Sequence, residues 1–325
     1  MPKNVFITGG AGYVGSALIP FLLDGGYKVT VYDLYIYGDI FKDIDNPNLV
    51  QIKGDIRDGE KLKLASKGAD VFIHLACVSN DPSFELNPDL GKSINYDSFP
   101  GIIRAVSENN IKRFIFASSS SVYGIKNGEV TEETDPSPMT DYAKYKWECE
   151  RLLQDSGIKY VIVRPATVCG YAPRLRLDLA VNILTINALI NKVINIFGGS
   201  QLRPNINIKD MIRIYAVLLE APTNLINRQI FNAGCQNMTV ESIAYLIKET
   251  LGGNDIKLVK TETNDNRSYH INSEKIKNIL GFDFDYSVAE AILSIQDAFA
   301  GGLIRDGLNN PLHHNIKMMQ KINLK

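Results

Sequence analysis

Short apolar runs of four or five residues, bounded by Gly, Asn or Asp, recur through the first half of the chain: Val5 to Thr8, Lys28 to Tyr32, Val50 to Lys53, Val71 to Leu75, Phe114 to Ala117 and Tyr160 to Val163. Runs this short, without a polar alternation, are expected of strands buried on both faces. Between them lie segments with apolar residues at helical spacing: Val14 to Leu23, Gly59 to Ala65, Leu90 to Glu108 and Asp141 to Gln154. Strand and helix alternate, which predicts an α/β fold built on a doubly wound parallel sheet with helices on both faces.

After Arg164-Pro165 the alternation becomes irregular. A long mixed stretch runs from Thr167 to Asn195, a turn falls at Gly198-Gly199, and helical patterns restart at Lys209 and Thr239. A second, smaller mixed α/β lobe is expected to begin there. Phe231-Asn232-Ala233-Gly234 reads as a late strand and turn returning to the first lobe. The expected division is therefore 1–167 plus about 209–235 for the first lobe, and 168–208 plus 236–325 for the second. The segment after Gly302 is polar and carries no pattern.

Composition narrows the function more than the fold. The 325 residues are 45% hydrophobic and 22% charged, with 35 basic against 36 acidic side chains and a net charge of −1. Such a balance provides no field to hold nucleic acid or an anionic membrane surface, so any positive site must be local. No apolar run approaches the roughly 20 residues that span a bilayer. Met1 to Asn4 lead straight into the first apolar run with no basic leader or cleavage site, so a cytoplasmic location is expected. Cys77, Cys149, Cys169 and Cys235 lie far apart and form no CxxC pair, which reads as reduced structural thiols.

The first strand runs into Thr8-Gly9-Gly10-Ala11-Gly12-Tyr13-Val14-Gly15 and then an apolar helix. Both GxGxxG and GxxGxxG are satisfied. Glycine lets the backbone turn sharply and approach a pyrophosphate, while the following helix, opening at Tyr13 and Val14, aims its free N–H groups and positive dipole end at the phosphates. Asp33 closes the second strand about twenty residues on, where a carboxylate can accept hydrogen bonds from the adenosine ribose. Its charge would repel a 2′-phosphate, which favours NAD over NADP. A strand-end Asp capping a turn is the alternative reading.

The fifth strand ends in Ser118-Ser119-Ser120-Ser121-Val122-Tyr123-Gly124, and Tyr142-Ala143-Lys144-Tyr145-Lys146 follows on a predicted helix. Tyr142 and Lys146 are spaced i, i+4, so phenol and ammonium emerge on one helix face. A phenol loses its proton near pH ~10, and a nearby cation favours the phenolate. Tyr142 can then act as a base while Ser119 holds a substrate hydroxyl. Hydride transfer from an alcohol carbon to NAD requires that the hydroxyl proton leave as well.

With the glycine turn, the serine-rich strand end and the Tyr-Lys pair in this order, nearly the whole chain resembles the extended short-chain dehydrogenase/reductases, enzymes with a Rossmann NAD-binding domain. Asn95 and Arg164-Pro165 also fall at the family's places. The resemblance implies that Gly54-Asp55-Ile56 is an adenine-binding segment and that His74-Leu75-Ala76-Cys77 lines the cofactor, with His74 a packing residue. It also implies a nucleotide-diphosphate sugar held by Ser119, Ser120, Tyr142 and Asn182, with Arg203 and Arg267 on its diphosphate, and a homodimer paired through the helices Leu90 to Glu108 and Asp141 to Gln154. Arg174 and Arg176 admit two readings, ligand contact or a solvated helix start, and the expected site omits them.

Within this superfamily the 4,6-dehydratases carry an Asp-Glu pair where this chain has Ser120 and Ser121. The uronic-acid decarboxylases carry Glu, and the fucose-type epimerase/reductases Cys, in place of Ser121. What remains is redox chemistry at one carbon, and the serine segment is most similar to the nucleotide-sugar 4-epimerases. A C4 epimerase with tightly held NAD is therefore expected. A net C4 dehydrogenase or 4-ketosugar reductase would use the same residues, and a catalytically silent NAD-binding sensor or scaffold is the reading from another class.

Overall fold

The computed structural model describes residues 3–126, 128–263, 268 and 270–322. The strands of the first half are β1 (Asn4–Thr8), β2 (Lys28–Asp33), β3 (Leu49–Lys53), β4 (Val71–His74), β5 (Arg113–Ala117), the two-residue β6 (Glu129–Val130) and β7 (Tyr160–Pro165). Then come β8 (Thr167–Cys169), β9 (Val193–Phe197), β10 (Leu202–Asn207), β11 (Gln229–Ala233), β12 (Gln236–Thr239), β13 (Lys257–Thr261) and β14 (His270–Ile271). Helices α1 (Tyr13–Asp24), α2 (Gly59–Ala65), α3 (Asp81–Glu85), α4 (Pro88–Lys92), α5 (Phe99–Glu108) and α6 (Asp141–Asp155) belong to the first half. The remainder are α7 (Ala180–Asn191), α8 (Ile208–Glu220), α9 (Thr223–Ile226), α10 (Val240–Thr250), α11 (Glu274–Leu280), α12 (Val288–Ala300) and α13 (Asn315–Lys321).

Seven strands form one parallel sheet in the order β11-β7-β5-β4-β1-β2-β3. Chain order runs outward in both directions from β1 and β4, so a crevice opens where their carboxyl ends diverge, the place where open α/β sheets take ligands. The apolar runs behave as two-faced strands should: Val5, Phe6 and Ile7 are at most 1% exposed, and Val161, Ile162 and Val163 are fully buried. One face packs against α1 and α8, the other against α2, α5 and α6. The late strand β11 joins this sheet beside β7, in register from Gln229 on Val161 to Ala233 on Pro165. Smaller sheets, β12-β10-β8 and β13-β9, build the second lobe with α7, α10 and α12 around their own apolar cluster. No helix among the described residues is long and apolar enough to cross a membrane.

Two segments differ from the sequence pattern. The expected helix from Leu90 to Glu108 is broken into α4, a π-turn over Ser93–Asp97, and α5. Pro100 has no N–H for the carbonyl one turn back, and the ladder widens instead, with Ser98 N donating to Ser93 O at 3.2 Å. The bulge turns Asn95 inward, where its side chain accepts from Val78 N at 2.8 Å and donates to Val78 O at 2.9 Å. This clamps the loop that follows β4. The chain after Gly302 also carries more structure than its polarity suggests. Ile304 and Met318 are buried, and α13 lies over the loops after β2 and β4 through hydrogen bonds from Tyr37 Oη to Asn315 Oδ1 at 3.0 Å and from Asn315 Nδ2 to Ser79 Oγ at 2.8 Å.

Candidate active site

A cavity of about 530 Å³ occupies the crevice. The glycine turn forms its floor at one end. Gly9 adopts φ +74°, and a Cβ there would stand 2.4 Å from Ala76 N, so the turn and the loop after β4 approach as only glycine permits. At Gly15, a Cβ would meet Gly10 O at 2.3 Å, which lets α1 begin tight against the turn. Gly12 precedes the helix with no side-chain cap, leaving the first-turn N–H groups of Tyr13, Val14 and Gly15 directed at the crevice. This cradle fits a dinucleotide pyrophosphate.

Asp33, at the end of β2, accepts from Ala11 N at 3.0 Å and Tyr35 N at 2.7 Å, which fixes its carboxylate on the cavity wall. Burial pushes its carboxyl above the usual range, opposed by those N–H groups and the charge of Arg174. Farther along, Asp55 and Ile56 line the wall. Asp55 is gripped by Arg57, whose Nε reaches both carboxylate oxygens at 3.1 and 3.0 Å. Burial works against its ionisation, but the hydrogen bonds and charge of Arg57 outweigh it and hold the carboxyl below the usual value. Leu75 and Ala76 complete the apolar side.

His74 lies beneath this wall rather than in it. Its Nδ1 shares a hydrogen bond with Thr8 Oγ1 at 2.7 Å, and its ring stacks on Phe116 with centroids 5.9 Å apart. Burial, with the nearby charge of Lys146, pushes the imidazole down to about 3, so it is a neutral packing group.

At the other end of the cavity, Ser119, Ser120, Tyr142 and Lys146 come together. Ser119 caps the 3-10 turn Ser120–Tyr123, accepting from Ser121 N at 3.1 Å, and its hydroxyl shares a hydrogen bond with Ser121 Oγ at 2.8 Å while lining the cavity with the Tyr142 phenol. Thr140 caps α6 through Ala143 N, which starts the helix so that Tyr142 and Lys146 face inward. Lys146 Nζ donates to Ala117 O at 2.6 Å and stands 6.0 Å from the Tyr142 ring centre. The expected lowering of the phenol by this ammonium is not what the structure holds. Burial pushes the Tyr142 phenol above its ordinary value, with Cys77 and Asp81 adding to the rise, while the opposing influences are the Arg176 charge and the Ser119 hydroxyl. Burial outweighs the neighbouring charges, and the Lys146 ammonium is itself bonded to the Ala117 carbonyl.

The residues expected on the substrate are divided. Arg203, on β10, lines the cavity. Arg267 lies outside the described residues. Asn182 is not brought to the cavity: it is fully buried, accepting from Gly170 N at 3.0 Å and donating to Arg176 O at 2.9 Å and Tyr13 Oη at 3.2 Å. Its amide is spent on holding the loop after β8 against α1.

That loop supplies residues the expected site lacked. Arg174 and Arg176 both line the cavity, as do Thr167, Asn80 and Asp178. Arg176 pairs with Asp178 through Nε at 3.0 Å and a terminal nitrogen at 3.1 Å, and Asn80 Nδ2 donates to Asp178 at 2.6 Å. The spacing Arg-x-Arg-x-Asp was the available signal, because alternate residues of an extended segment face one way. Asn315 and Met319 of the tail also reach the cavity wall, which no local pattern announces.

The profile of the NAD dependent epimerase/dehydratase family matches residues 5–234, and the chain belongs to that family. It is an NAD-using enzyme with the fold of that class. Among similar proteins, the uncharacterized protein y4nG of Sinorhizobium fredii is 36% identical over 174 residues, covering 52% of this chain and 42% of that protein. The uncharacterized UDP-glucose epimerase YtcB of Bacillus subtilis is 32% identical over 266 residues, 77% of this chain and 82% of that one. The UDP-glucuronic acid 4-epimerase of Bacillus cereus, solved with UDP-glucuronic acid and NAD, superposes with a TM-score of 0.81 at 27% identity, covering 92% of this chain and 99% of that one.

Proposed function

We propose that this protein is a nucleotide-sugar C4 epimerase that works through a transient 4-keto sugar. The observation that carries the reading is that Ser119, Tyr142 and Lys146 line one cavity together with the glycine turn, on a serine segment whose Ser120 and Ser121 stand where an acid-base pair would be needed for dehydration. When bound, NAD supplies the hydride acceptor at C4. In its ionised form Tyr142 Oη takes the proton of the C4 hydroxyl and later returns it, burial making the phenolate the stronger base, and Ser119 Oγ holds the C4 oxygen in place. Ser120 lies against the sugar, and Lys146 keeps a positive charge beneath the pair. Gly9, Gly12, Tyr13, Val14, Gly15, Asp33, Asp55, Ile56, Leu75 and Ala76 form the cofactor side. Arg203 and Arg267 grip the substrate diphosphate, for which the guanidinium fork suits two oxygens at once.

The name of the Bacillus subtilis relative and the ligands of the Bacillus cereus structure support a UDP-linked sugar. The substrate lobe comprises 168–208 and 236–325, and two copies pair through α5 and α6. The test is to incubate the purified protein with UDP-, GDP-, CDP- and dTDP-sugars while following product stereochemistry and nicotinamide absorbance. An epimerised sugar without net NADH is expected. Stoichiometric NADH would replace the reading with a net dehydrogenase, and neither signal with any sugar would remove catalysis altogether.

A further inference from the structure

Arg174 is a buried cation placed where the glycine turn lacks one. Its residue is 4% exposed, and no ion pair with a carboxylate accompanies it among the described residues, in contrast to Arg176 two positions on. Its Nε is buried without a hydrogen-bond partner. The backbone ties it to the first turn of α1, Arg174 N donating to Ser16 Oγ at 3.1 Å. The guanidinium stacks 3.5 Å over the Tyr37 ring, and one terminal nitrogen donates to Asn315 Oδ1, which also accepts from Tyr37 Oη. Three remote segments therefore hold one charge at the wall of the cavity that Gly12, Tyr13 and Asp33 also line.

A buried charge with no carboxylate in direct contact, offset only through space by Asp33 and Asp178, is unfavourable unless an anion arrives to match it. Consistent with that, burial pushes the Arg174 guanidinium down to about 10. The anion due at this place is a diphosphate: the first turn of α1 presents N–H groups equivalent to about half a positive charge, against two negative charges on a dinucleotide's phosphates. We propose that Arg174, braced by Tyr37 and Asn315, binds the pyrophosphate of NAD together with the α1 N-terminus and so closes the second lobe and the C-terminal segment onto the cofactor. This depends on NAD being the cofactor and not on which reaction follows.

Arg174→Met keeps the stem on Tyr37 and removes the charge. Titrations of NAD-stripped protein with NAD, ADP, adenosine and UDP should show NAD and ADP weakened about tenfold or more, with adenosine and UDP each unchanged within about twofold, and less NAD should remain on the variant through gel filtration. Arg174→Lys should give a smaller loss with the same selectivity, and it carries the test if the methionine variant does not fold. Asn315→Leu, which removes the brace and leaves the charge, should weaken the same two probes. Unchanged NAD and ADP affinity would overturn the proposal. So would an equal loss for adenosine, which would mean a collapsed pocket, or a loss confined to UDP, which would assign Arg174 to the nucleotide sugar.

Discussion

Glu150 and Arg164 form a bidentate ion pair behind the serine-rich end of β5, Arg164 Nε to Oε1 at 3.1 Å and a terminal nitrogen to Oε2 at 2.6 Å, with side chains 0% and 2% exposed. The Ser118 hydroxyl donates to the same carboxylate, and Arg164 donates to Tyr123 Oη at 2.9 Å. Glu150 lies one turn after Lys146 on α6, and Ser118 immediately precedes Ser119. The pair therefore locks the helix that carries Tyr142 to the strand that carries Ser119. Removing one member strands the other charge in the core: Glu150→Ala should cost about 3–5 kcal/mol, read from the denaturant midpoint. A loss below about 1 kcal/mol would mean that water reaches Arg164 and that the lock is not dry.

Tyr142→Phe keeps the ring and removes the oxygen that exchanges the proton. Turnover should fall about a thousandfold or more while NAD remains bound at the wild-type ratio, measured by nicotinamide absorbance of the purified protein. Activity within tenfold of wild type would move the proton transfer to another group.

Acid stability should carry the mark of His74. Its folded value of about 3 lies below the ordinary imidazole value near 6.5. Between those values the unfolded chain binds a proton that the folded chain does not, so stability rises with pH and is lost as pH falls from about 6.5 toward 3, at up to about 1.4 kcal/mol per unit. Urea titrations between about pH 4.5 and 6 should show a shallower slope for His74→Gln than for wild type by about that amount. Equal slopes would mean that the imidazole charges without unfolding.

Asn182→Ala orphans the Gly170 N–H and one interaction of the Tyr13 hydroxyl. It should lower stability by about 1–3 kcal/mol, with KM for the sugar changed by less than about threefold once the protein is folded. A KM effect without a stability effect would return Asn182 to the substrate.

The main sheet was legible because its strands are set by local composition. Runs such as Val5-Phe6-Ile7 have no polar face to show solvent, and α2 spans the Gly59–Ala65 that its pattern predicts. The break within Leu90 to Glu108 had a local cause too, Pro100, which the apolar periodicity around it conceals. Asn182 misled because an amide near a binding loop serves a ligand or a backbone equally well, and spacing does not tell which.

What the chain's order of residues decided alone was the parallel sheet, the glycine turn and the Tyr142-Lys146 helix face, since each depends on neighbours within a few positions. What folding had to decide was which charges meet which partners. Tyr37 and Asn315 bond across 278 positions, and Arg174 acquires its place only when both are there. Burial, not spacing, sets the proton affinity of Tyr142 and His74, because desolvation depends on everything packed around a group and no short segment contains that information.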